Sequence, residues 1–385
     1  MLAAMTTAVR PETSAGPRSL PVRAQESERI VELDALRGLA ALAVALYHFT
    51  RRYDELYGHA PGLLGRLPWG HYGVQLFFVI SGYVILMSLR PGKSAGAFAL
   101  QRAARLYPPF WAACAATWLG VFLFGLPGRA VDLKSAALNL TMAPLWFKWL
   151  YPKVWYIDGA YWSLKEELVF YATMALVLLV GLRRHALWVV AGLAGLHLAG
   201  IAAAKLTDLN IGAWLAKELG YKDAFNLSMA FTLRWFSLFG LGMVIYESRQ
   251  GFKPRHAAVL AILLLDQFTS AFWVRKPGIE PWQEFAAACI SGLAVWWATH
   301  IRPSLLRLKP LVFLGAISYS FYLLHQNLGY IVIRECEERG IGPNGAVCLA
   351  LLAAMLLATA LAFGVERPVY AWVKTRIKPR AAPGG

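Results

Sequence analysis

Residues 31–50 read VELDALRGLAALAVALYHFT. This is one apolar run interrupted by Asp34, Arg37 and His48. About 20 such residues cross the ~30 Å hydrocarbon core of a bilayer as a helix. Arg37 and His48 are 11 residues apart, three helical turns plus about 20°, so they share a face. Asp34 lies one turn before Arg37, close enough to pair with it. One stripe is therefore polar and the rest is Leu, Ala and Val. A charge at mid-bilayer costs a few kcal/mol even on lenient scales, so this stripe has to face a cavity or a partner. At 1.5 Å per residue, Arg37 sits about 9 Å and His48 about 26 Å from the cytoplasmic end.

The chain around this segment has the same character. Of 385 residues, 58% are hydrophobic and 16% charged, against about 25% charged in a typical soluble domain. That excludes a disordered protein and argues against a soluble enzyme. Ten apolar stretches are found, at 31–50, 71–89, 106–126, 161–182, 186–204, 226–246, 257–273, 284–301, 311–333 and 346–366. None alternates as a membrane strand does, and helices satisfy their backbone internally. The expected fold is all-α: a polytopic integral membrane protein of about ten transmembrane helices. Residues 1–29 read as a retained polar tail, 30–370 as the membrane domain and 371–385 as a basic tail.

The net charge of +16 by itself suggests a nucleic-acid partner. Its distribution says otherwise. With the amino terminus in the cytoplasm, the inside segments hold 21 Lys and Arg and the outside loops 14. The positive-inside rule puts both termini in the cytoplasm; the expected location is the plasma (inner) membrane. The basic excess is a topology signal, and no nucleic acid is implied. Four cysteines without CxxC or Cys/His spacing give neither a metal site nor a disulfide framework.

Other groups sit at a depth like that of His48. His325, in ISYSFYLLHQNLG, lies about 21 Å along its span, and Glu166, in WSLKEELVFY, about 22 Å from the cytoplasm. Two histidines and a carboxylate from three helices can thus meet in the outer half of the bilayer. Glu167 falls on another face and ranks behind Glu166. Ser81 beside Gly82, in GVQLFFVISGY, is either a helix-packing position or a substrate contact. Arg102 and Arg105, in FALQRAARLYPPFW, the inner loop before the third span, lie side by side if that segment is helical. They suit a phosphate-bearing ligand from the cytoplasm unless they only mark an inner loop. Arg234 and Asp266 are buried charges that need partners. The outer loop 127–160 carries Trp146, Trp149, Tyr151, Trp155 and Tyr156, as an interfacial belt or a surface on which a sugar stacks.

The segments LDALRGLAALAVALYHF, GVQLFFVISGYVI, RAARLYPPFW, WSLKEELVFY and LGAISYSFYLLHQ occur in that order. Together they resemble acyltransferase family 3, over residues 30–370. The resemblance implies an enzyme that moves an acyl group, usually acetyl, from cytoplasmic acyl-CoA to a glycan, lipopolysaccharide or other envelope acceptor. Acyl-CoA is then the donor substrate, with no resident cofactor. The family's Arg and His motif falls on Arg37 and His48, and its Arg-x-x-Arg on Arg102 and Arg105, implicated in holding acyl-CoA. Its Ser-Gly falls on Ser81 and Gly82, its Trp-Ser-Leu-x-x-Glu on Trp162, Ser163 and Glu166, and its Tyr-x-x-His on Tyr322 and His325. His48 then serves as general base or as nucleophile. Glu166 orients a histidine or the acceptor, and His325 donates to the oxyanion or binds sugar. Membrane lipid, acyl-CoA and a glycan or glycolipid acceptor are the expected partners; the sequence names no oligomeric state. A proton-coupled transporter would also carry intramembrane His, Glu and Arg, and a lipid or sterol organiser is a third class. The chain shows no internal repeat of the kind many transporters have.

Overall fold

The computed structural model describes residues 30–58, 62, 65–206, 233–273 and 280–377. Among these the chain is helical throughout and has no strand. The helices are α1 (Val31–Tyr47), α2 (Tyr53–Tyr57), α3 (Gly73–Ser88), α4 (Ala95–Phe124), α5 (Leu133–Asn139), α6 (Trp162–Leu179) and α7 (Ala186–Leu206). They continue as α8 (Phe236–Ser248), α9 (Pro254–Trp273), α10 (Pro281–Trp296), α11 (Lys309–Leu324), α12 (Gln326–Glu338), α13 (Pro343–Leu361) and α14 (Arg367–Ile377). Five helical stretches are long and apolar enough to cross a membrane: Pro68–Ser88, Ala95–Phe124, Arg183–Ala203, Pro254–Trp273 and Pro343–Arg376. Phe236–Ser248 and Lys309–Leu324 are shorter apolar helices. Large apolar side chains such as Phe122, Leu123, Leu179, Leu196 and Leu356 point outward, which suits lipid and not water. This is a multi-pass membrane protein.

Several expected bounds shift. The third stretch begins at Ala95 rather than 106, because Ser94 caps the helix by accepting from the Ala97 amide at 3.1 Å. At 30 residues α4 is about 45 Å long, well beyond the ~30 Å core. Arg102 and Arg105 are therefore helical residues of its first turns. The ninth stretch is two helices joined at His325. In the sixth, residues 226–232 lie outside the described residues, as do 1–29 and 378–385. Helix α14 runs into the segment read as a tail.

Backbone-to-backbone contact at glycines sets the packing. A Cβ on Gly82 would lie 1.8 Å from the Phe239 carbonyl oxygen, and one on Gly242 1.9 Å from that of Val79. Only glycine lets α3 and α8 approach this closely. The same device joins α1 to α11. A Cβ on Gly315 would lie 2.0 Å from the Asp34 oxygen, and one on Gly38 2.6 Å from the Gly315 nitrogen. At the start of α1 the buried Glu32 carboxylate takes Arg307 at 2.8 Å and Arg302 at 3.3 Å.

Candidate functional site

Each of the two glycines at the α1–α11 contact precedes a histidine by ten residues: Gly38 precedes His48, and Gly315 precedes His325. The helices run parallel, so equal rises carry both imidazoles to one level. His48 Nδ1 lies 2.9 Å from His325 Nε2, with ring centroids 4.9 Å apart. The register set by glycine is what brings the two rings together.

The backbone is irregular at both rings. From His48 to Arg52 the chain widens into a π-helical turn, a departure that recurs at functional sites. At His325 the ladder between α11 and α12 is interrupted, and side chains just ahead of α6 take over its hydrogen bonds. Tyr161 donates to the Leu323 carbonyl at 2.8 Å, and Asp158 accepts from the Asn327 amide at 2.9 Å. The freed Tyr322 carbonyl accepts from His325 Nδ1 at 2.8 Å.

These contacts fix the protons. A carbonyl oxygen only accepts, so His325 carries its hydrogen on Nδ1 and leaves a lone pair on Nε2. That lone pair takes the Nδ1–H of His48. The remaining nitrogen of neutral His48, Nε2, then holds a lone pair of its own. His325 is fully buried, whereas His48 lines a chamber of about 360 Å³ shared with Arg52, Arg129, Trp155, Tyr156 and Gln326.

Two further chambers lie in series with this one, each sharing wall residues with the next. A narrow middle chamber of about 60 Å³ shares Val74 and Tyr322 with the outer one; Arg37, Ser81, Arg105, Ser163 and Glu167 also line it. An inner chamber of about 260 Å³ shares Arg37, Arg105, Ser318 and Tyr319 with the middle one. It adds Asp34, Glu366, Arg367 and Tyr370. The three lie in series, with two arginines where the second meets the third and His48 in the first.

The residues singled out from the sequence divide accordingly. Arg37, 3.7 Å from Asp34, lines the inner and middle chambers and His48 the outer. Ser81 lines the middle chamber and donates to Glu167 at 2.9 Å. Arg105 faces both inner spaces, while Arg102 lies over the rings of Phe98 and Tyr171 at 5.4 and 5.6 Å and lines none of the three. The expected meeting of Glu166 with the histidines is not what the structure shows. Glu166 is buried against Lys165 at 2.8 Å and lines none of the chambers. Its neighbour Glu167, about 100° further round the helix, faces the middle chamber and also accepts from Tyr171. The lysine next in sequence takes the inner carboxylate and leaves the other to the cavity.

Sequence reasoning did not single out Arg52, Arg129, Gln326 or Arg367. Arg52 and Arg129 carried one available signal, as basic residues on the side that the charge asymmetry leaves poor in them. Arg234 and Asp266 do find partners. Arg234 pairs with Glu284 at 2.5 Å. Asp266 takes His197 at 2.7 Å and Ser237 at 2.6 Å.

Comparison with known proteins gives concordant findings. The family model for the acyltransferase domain (acyltransferase family 3) matches residues 30–363. The chain is 28% identical to the acyltransferase MdmB of Streptomyces mycarofaciens over 410 aligned residues, covering 92% of this chain and 96% of that one. It is 26% identical to nodulation protein 10 of Rhizobium leguminosarum bv. viciae, over 74% of this chain and 80% of the relative. With the exopolysaccharide production protein ExoZ of Rhizobium meliloti it shares 25% identity, over 78% and 89% of the two chains. No solved structure matches it.

Proposed function

The chain belongs to acyltransferase family 3 and is an acyltransferase, and from that premise we propose that it transfers an acyl group, acetyl in the first instance, from cytoplasmic acyl-CoA to a hydroxyl of an envelope glycan or glycolipid. The observation that carries this reading is the 2.9 Å contact of His48 with His325 at the outer end of a chain of cavities whose inner end is rich in arginine. The name of ExoZ, an exopolysaccharide production protein, supports a glycan acceptor. The chain in this reading crosses the plasma membrane ten times with both termini in the cytoplasm. Parallel α1 and α11 agree with that path, in which both belong to outward-running spans.

In the proposed reaction, Arg37 and Arg105 hold the CoA phosphates at the inner chamber with Arg367 beside them. Arg102, stacked on aromatic rings behind Arg105, contributes charge at the same face. Ser81 and Glu167 border the path of the pantetheine arm. The middle chamber has room for a few waters, so the arm enters only as side chains there move aside. His48 Nε2 takes the proton of the acceptor hydroxyl as its oxygen attacks the thioester carbonyl. The C–O bond forms, the C–S bond breaks, and the proton passes from His48 to the leaving thiolate. His325 is a positioning residue: it holds His48 in the tautomer with Nε2 free and accepts its Nδ1–H while the ring is cationic. An acylated His48 isolated in the absence of acceptor would move the same site to a two-step, acyl-imidazole route.

The test is transfer of radiolabel from acetyl-CoA by the purified chain with an envelope glycan extract. Labelled glycan with matching consumption of donor is expected. Donor left intact, with solute flux into vesicles, would point to the transporter class instead.

A further inference from the structure

The outer chamber holds more than a base. Two guanidinium groups, Arg52 and Arg129, line it together with His48, and no Asp or Glu does. Arg52 spends one nitrogen on Glu55 at 3.0 Å, on the solvent side of the helix. Arg129 donates through Nε to the Tyr57 hydroxyl at 3.4 Å and has no carboxylate within ion-pair distance among the described residues. Arg52 is thus already answered by a carboxylate at the surface, whereas Arg129, partly buried, keeps capacity for an anion.

Two neutral groups in the same wall are also unanswered. The Gln326 Oε1 and the Tyr156 hydroxyl are buried without a hydrogen-bond partner, and their residues are 3% and 5% exposed. Buried polar atoms are nearly always paired, and both residues line the chamber, so a side-chain rotation would bring either unspent atom to a polar ligand there. Trp155 presents a ring at the same mouth, under the Lys148 ammonium at 4.8 Å.

We propose that the acceptor is an acidic sugar: its oxyanion, carboxylate or phosphate, lies on Arg129 and Arg52, and Gln326 and Tyr156 bond its hydroxyls. This rests on the transferase reading and names the class of its acceptor. A bidentate Arg–oxyanion contact would fix the sugar on one side. Trp155 would cover an apolar face of the ring, leaving one hydroxyl toward His48 Nε2.

Binding can be read without turnover. Diethyl pyrocarbonate modifies a free imidazole nitrogen, and peptide mass spectrometry follows its rate at His48 in the purified full chain. A glucuronate-containing oligosaccharide or glucose 6-phosphate should slow this rate about fivefold or more, and the carboxyl-reduced oligosaccharide less than about twofold. The stronger of the two acids distinguishes sugar carboxylate from phosphate. Arg129→Gln should remove the protection and Arg129→Lys retain part of it, which separates lost charge from lost fold. Equal protection by neutral and acidic sugars, no protection by any of them, or protection indifferent to Arg129→Gln would overturn the proposal. Protection by acids without any acetyl transfer would fail the transferase reading and leave the anion site standing. Transfer to neutral sugars with no preference for acids would do the reverse.

Discussion

Two of the buried polar clusters among the described residues use the same residue types for different ends. One joins α7, α8, α9 and α10. His197 and Ser237 bond Asp266, Gln267 donates to the Ser237 hydroxyl at 2.6 Å, and Arg234 pairs with Glu284. None of these six residues lines any of the three chambers. The other runs from Arg37 and Arg105 to His48 and His325. There the histidine pair leaves one nitrogen facing space, and Gln326 and Tyr156 each hold an unpaired atom. Burial of ionisable groups is common to both clusters and marks function in neither. What separates them is the open volume: the second cluster lines chambers and the first does not.

This contrast can be broken experimentally. His48→Ala should lower acetyl transfer by about 10²–10⁴-fold, the usual contribution of a positioned general base, with the protein still inserted in the membrane. Asp266→Ala should do the opposite. Removing Asp266 takes the acceptor from His197 and the buried Ser237 hydroxyl, and a buried polar group left unsatisfied costs about 1–3 kcal/mol, so the melting temperature in detergent should fall. Activity per folded molecule should change less than about twofold. If Asp266→Ala lost activity at full stability, the closed cluster would be part of the site.

Finer variants sharpen the comparison. Gly315→Ala sets a methyl against the Asp34 carbonyl, and overpacking of this kind costs about 1–3 kcal/mol. It should shift α11 along α1, separate the two imidazoles and reduce kcat more than it reduces melting temperature. Arg105→Gln should raise KM for acetyl-CoA about tenfold at nearly unchanged kcat, the mark of lost ground-state binding to a phosphate. The smallest effects belong to the carboxylate pair. Glu167→Gln should alter KM for acetyl-CoA a few-fold through Ser81 and the middle chamber, while Glu166→Gln should show as lost stability, because it removes the negative charge 2.8 Å from the buried Lys165 ammonium.

The helical, membrane-embedded character was legible in composition and run length, and so was the pairing of Asp34 with Arg37, which spacing on one helix decides. The meeting of His48 with His325 was legible as depth alone. Its cause, two glycines each ten residues earlier, emerges only when both helices are seen together. The choice between Glu166 and Glu167 was not legible. One residue is about 100° of helix, and which face meets a cavity depends on neighbours far along the chain. The interruption at His325 has no proline or glycine to announce it, since Asp158 and Tyr161, just ahead of α6, take up its hydrogen bonds. The early start of α4 rests on Ser94, a cap ahead of a stretch too polar to count as membrane.

The most direct test of a polar passage ending at His48 is sided transfer. The chain would be reconstituted in vesicles with one orientation, acetyl-CoA supplied only at the Arg105 face and envelope glycan only at the Arg129 face. The account predicts labelled glycan across the bilayer, abolished by His48→Ala. Transfer only when donor and acceptor share a face, or transfer unchanged in His48→Ala, would contradict it.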